Sequence, residues 1–162
     1  MAYREGMNAP RRAVAAATVG LLLLSGCAVG PAVDLDDARE WLDRVEAEES
    51  DGPGGAGTAS MQIPSSADTD EPAITGFTFD APTQLKRVDA RCFGGGTADL
   101  TVSLSPAEGA QWHTVEATIP CDQEPHGVSF DAVPSSEASV QAIGSAETYL
   151  HVTLVQELVI ER

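Results

Sequence analysis

The sequence predicts a mainly β protein: an antiparallel β-sandwich or jelly-roll-like domain, preceded by one amphipathic helix and a flexible linker. Three observations lead there. From Ala73 onward apolar residues recur every second position in short runs, the signature of half-buried strands. Turn-forming clusters separate those runs: Gly94–Gly96, Ser105–Gly109, Asp122–Pro125, Val133–Ser136 and Gly144–Ser145. Upstream, one segment has helical spacing and the next is rich in Gly, Ser, Pro and acids.

The first element is not part of the fold. Arg11 and Arg12 precede the apolar stretch Ala13–Leu24, the arrangement of an export signal. That stretch alone is shorter than the roughly 20 apolar residues of a spanning helix. The uncharged run extends through Cys27 to Val33, so an uncleaved signal anchor is the competing reading. Translation starts at Met1 or Met7, and the arginine pair raises the twin-arginine export route beside the general one. Leu24-Ser25-Gly26-Cys27 resembles the lipobox of bacterial lipoproteins. The resemblance implies cleavage before Cys27, a diacylglyceryl group on its thiol, and a lipid-anchored protein on the outer face of the cell membrane.

Charge limits the partners. The chain of 162 residues carries 25 acids against nine Lys and Arg, a net −16. Removing residues 1–26 makes it more acidic still. Such a surface repels nucleic acid and anionic bilayers. Lys86 stands alone against eight arginines, a bias of GC-rich coding. With the lipobox, the layout resembles small lipoproteins of high-GC Gram-positive bacteria: a lipid-bearing cysteine, an acidic tether and one disulfide-bearing β domain.

In order, the chain then reads as a signal peptide over 1–26, a lipidated spacer over 27–33, an acidic helix over 34–49, a disordered linker over 50–72 and the β-sandwich over 73–162. In the helix Leu35, Ala38, Trp41, Leu42 and Val45 form one stripe, with Asp34 as the cap. An isolated helix of this length is marginal in water, so its stripe needs a partner: its own domain, another protein or lipid. The linker has little to bury.

About seven strands are expected in the domain. Ala98, Leu100, Val102 and Leu104 share one face, as do Val88, Ala90 and Cys92, and Val115, Ala117, Ile119 and Cys121. With Cys27 lipidated, Cys92 and Cys121 remain in an exported protein, where a leftover pair reads as a disulfide. Both fall on inward faces.

Chemistry is harder to find. The three glycines in Cys92–Leu100 lack the Gly-Lys-[Ser/Thr] of a phosphate loop and read as a turn. His113, His126 and His151 do not share a face, and no cofactor or metal ligand set is expected. No Gly-x-Ser-x-Gly elbow is present. Trp112, Tyr149 and His151 fall on outward faces by parity and form the candidate binding surface. The expectation is a membrane-tethered, non-catalytic binding module of the cell envelope, attached through Cys27 and contacting an envelope protein or glycan. Two alternatives stand: an envelope hydrolase using Asp or Glu, with His113 as a candidate, and an accessory subunit docked through Leu35, Trp41 and Val45.

Overall fold

The computed structural model describes residues 33–49, 54–106 and 111–157. The expected export signal, Cys27 and most of the expected spacer lie outside them. Among the described residues there is one helix, α1 (Leu35–Glu49), then six strands: β1 (Gly55–Ile63), β2 (Ala73–Cys92), β3 (Thr97–Pro106), β4 (His113–Pro120), β5 (His126–Gly144) and β6 (Thr148–Gln156). The strands form one antiparallel sheet in the order β1-β6-β2-β5-β3-β4. The mainly β, sandwich-like fold is the one the alternation predicts.

Two long strands fold this sheet over on itself. The second half of β2, from Leu85 to Cys92, pairs with β6 and with the start of β5; its first half, from Ala73 to Thr78, pairs with the end of β5. That end of β5 also pairs with β3. The register between β2 and β5 slips from Thr78 to Thr83, and Gln84 lies opposite Pro134. Proline removes a ladder donor, and extra residues on one strand bend it. Asp80, Ala81 and Pro82 thus mark the place where β2 passes between layers. One layer contains β1, β6, the end of β2 and the start of β5; the other contains the start of β2, the end of β5, β3 and β4.

A single core lies between the layers. It includes Leu85, Val88, Leu150, Val152 and Leu154 from one, and Leu100, Val102, Leu104, Ile119 and Val140 from the other. Cys92, at the end of β2, is bonded to Cys121, just after β4. The disulfide therefore ties one layer to the other at one end of the sandwich. Beside it, Gly94, Gly95 and Gly96 all have positive φ, at 101°, 79° and 84°. Side-chain-bearing residues rarely adopt that conformation, which accounts for three glycines in this turn.

Several expectations need correction. Residues 55–63 are a strand, not linker, and the β domain begins at Gly55 rather than Ala73. Behind its glycines this segment alternates: Thr58, Ser60 and Gln62 on one face, Ala59, Met61 and Ile63 on the other. Pairing with β6 supplies the ladder that composition obscured. Ser65 also bridges to Gly144. The seven expected runs make five strands, because β2 and β5 each join two of them, and β1 is the sixth. Val133–Ser136 lies within β5 rather than in a turn.

The helix is capped as expected, Asp34 Oδ1 accepting from the Asp36 and Asp37 backbone N–H groups at 3.0 and 3.3 Å. Its stripe packs on the chain's own sheet. Trp41, Leu42 and Val45 are buried against Phe93 and Tyr149, with the Trp41 and Phe93 rings 5.8 Å apart. Among the described residues no helix is long and apolar enough to cross a membrane.

Candidate functional site

Along β6, Leu150, Val152 and Leu154 point into the core. Tyr149, His151 and Thr153 take the opposite face, where solvent was expected. Helix α1 lies there instead, and His151 is 2% exposed. The register places Ser60 of β1 and Arg91 of β2 directly beside it, one on each side. Ser60, His151 and Arg91 thus form one row across three strands, closed from above by Glu49, the last residue of α1.

Contacts in this row are short. Ser60 Oγ lies 2.9 Å from His151 Nδ1. His151 Nε2 lies 3.2 Å from Glu49 Oε2. Arg91 Nη2 lies 2.8 Å from Glu49 Oε1, and Thr153 Oγ1 donates to Glu49 Oε2 at 2.6 Å. The Glu49 carboxylate thus faces a guanidinium, a hydroxyl donor and the imidazole at once. With its proton on Nε2, the nitrogen that faces Glu49, the neutral ring keeps a lone pair on Nδ1. Ser60 O–H donates to that lone pair. Burial pushes the His151 pKa below its ordinary value; Arg91 acts the same way, while Glu49 and Glu46 oppose it. The ring is therefore held neutral, able to take a proton.

Two grooves flank the row. One, of about 290 Å³, runs between α1 and β1, lined by Ser60, Met61 and Tyr149 below and Arg39, Leu42 and Glu46 above. The other, of about 310 Å³, opens past the end of α1 and is lined by Arg87, Asp89, Arg91 and Glu49. There Arg87 holds Asp89 through two contacts, Nε–Oδ1 at 2.7 Å and Nη2–Oδ2 at 2.8 Å.

The expected binding surface does not form. Trp112 is 59% exposed and precedes β4, the strand at the far end of the sheet from β1. Tyr149 and His151 lie beneath α1. Parity placed all three on outward faces, but parity does not reveal which outer face a helix covers. The histidines are likewise apart. His113 packs near Phe130, with rings 6.1 Å apart, and His126 Nε2 lies 2.8 Å from Asp122 Oδ1. Ser60 and Glu49 were not singled out from sequence. The signal that marks Ser60 is the Thr58-Ser60-Gln62 alternation; nothing local marks Glu49, whose role comes from tertiary docking.

No protein-family model matches the chain, and no curated protein is similar to it.

Proposed function

We propose that this chain is a membrane-tethered binding module of the bacterial cell envelope, anchored through lipid on Cys27. The motif Leu24-Ser25-Gly26-Cys27 supports the anchor. The observation that carries the rest is the docking of α1 on its own sheet. Its apolar stripe is buried within the chain, which removes the support for a subunit docked through that stripe.

Docking also sets the distance to the membrane. A tether of 23 residues between helix and domain was expected, but Gly55–Ile63 is strand and α1 docks directly on the sheet. Residues 28–33 join Cys27 to it, a span of at most about 20 Å when extended. Val33 packs over Gly94, in the turn beside the disulfide. In this reading the disulfide end of the sandwich faces the bilayer. Trp112 lies at the other end, separated from Cys121 by the eight residues of β4, about 25 Å of strand. An exposed tryptophan there is presented to the envelope, where its ring can stack on a sugar or fill a protein pocket.

The test is retention from envelope extracts by the purified, folded protein. The proposal expects a protein or glycan to be retained by the natural chain and lost with Trp112→Ala. Retention of nothing by the folded chain contradicts it.

A further inference from the structure

The row under α1 has an order of groups that a binding module does not require. A hydroxyl meets one nitrogen of an imidazole, and the other nitrogen faces a carboxylate that an arginine also contacts. That is the relation between nucleophile, base and orienting acid in covalent hydrolysis, recognised by geometry and roles and not by sequence spacing. We propose that Ser60 is a nucleophile activated by His151, with Glu49 fixing the imidazole, and that the groove between α1 and β1 accepts a carboxylic ester. This goes beyond the binding role and does not depend on lipid at Cys27.

Three features support it. The distances of 2.9 Å and 3.2 Å are within or at the edge of hydrogen-bond reach for proton transfer. Ser60 is partly exposed and lines the groove, while His151 behind it is sealed from water. And β1 is a terminal strand, so every second backbone N–H along it points away from β6. Either the Ser60 N–H or its neighbour from Met61 therefore turns outward, and the proposal assigns that N–H as donor to the oxyanion on the Ser60-bound carbon.

The chemistry balances with water alone. Ser60 Oγ bonds to the ester carbonyl carbon as its proton passes to His151 Nδ1. The carbon–alkoxide bond breaks, and His151 returns the proton to the departing alcohol. Water then adds to the acyl carbon, giving a proton to His151. The acyl–Oγ bond breaks, the acid leaves, and Ser60 regains its proton. Throughout, Nε2–H stays on Glu49, whose charge stabilises the transient imidazolium. Leu42 and Tyr149 give the groove apolar walls suited to a short acyl chain.

The test uses the purified chain with a fluorophosphonate probe, the modified residue being located by peptide mass. Hydrolysis of p-nitrophenyl acetate is followed in parallel. The proposal expects a single adduct on Ser60. Ester turnover should fall about 100-fold in Ser60→Ala and at least tenfold in Glu49→Gln, both variants keeping the natural circular dichroism spectrum. Turnover should rise with pH as His151 becomes neutral, with its midpoint below the ordinary imidazole value of about 6.5. Ser103→Ala, on the other layer, should match the natural chain. A folded natural chain that reacts no faster than Ser60→Ala, or that is labelled elsewhere, overturns the proposal and leaves the row as a clamp for α1.

Discussion

Glu49 and Arg91 meet across the seam between helix and sheet, with Nη2 and Oε1 2.8 Å apart. The same carboxylate also accepts from Thr153 and faces His151. One side chain at the end of α1 thus gathers three groups from the sheet beneath. Its removal leaves Arg91 and His151 without their anion in a partly buried site. Glu49→Ala should therefore destabilise the fold by about 1–3 kcal/mol, read from urea unfolding.

The apolar half of the same docking is larger. Trp41 is 3% exposed and lies against Phe93 and Tyr149. Trp41→Ala should lose about 3–5 kcal/mol of stability. Limited proteolysis should then cut first within Leu35–Glu49, where the natural chain resists. Equal resistance in the two proteins would show that the helix is held by other contacts.

Acid should weaken the fold through His151. Burial lowers its pKa, so the folded protein favours the neutral ring, while the unfolded chain titrates near 6.5. This contribution is fully present above the unfolded value and is lost as pH falls through the lower folded one. The groups facing the ring are Glu49 and Glu46 from α1, Arg91 from β2, Ser60 from β1 and Thr153 from its own strand. Unfolding free energy should fall as pH drops below about 6.5, and His151→Gln should flatten that part of the profile.

Reduction should act on both layers together. The Cys92–Cys121 bond closes a loop with a sequence separation of 29. In the chain-entropy account a loop of that size contributes about 3–4 kcal/mol. Melting with and without reductant, and in a Cys92→Ala/Cys121→Ala variant, should show this loss in a fold that keeps its β spectrum.

What could be read from sequence was local. In β3 every residue of the set Ala98, Leu100, Val102 and Leu104 is buried, because strict alternation leaves one way to bury a face. The helix begins within one residue of its expected start for a similar reason: Asp34 both caps it and precedes the apolar stripe. β1 was missed because Gly, Ala and Ser weaken a strand pattern that pairing with β6 restores. Pro134 falls in an expected turn, Val133–Ser136, yet it sits where the long strand β5 changes layers. His151 was placed on the correct face, but the helix that covers that face is a long-range contact no period can show. Ser60 and Glu49 escaped notice for the same reason, since their meaning arises only when β1, β6 and α1 come together.

The anchor is the claim on which the envelope role rests. Its most direct test is the intact mass of the protein extracted from membranes, before and after reduction. The account predicts a chain beginning at Cys27, carrying a diacylglyceryl adduct and gaining about two mass units when the Cys92–Cys121 bond is reduced. A chain that retains Met1 or Met7 and carries no lipid would contradict it.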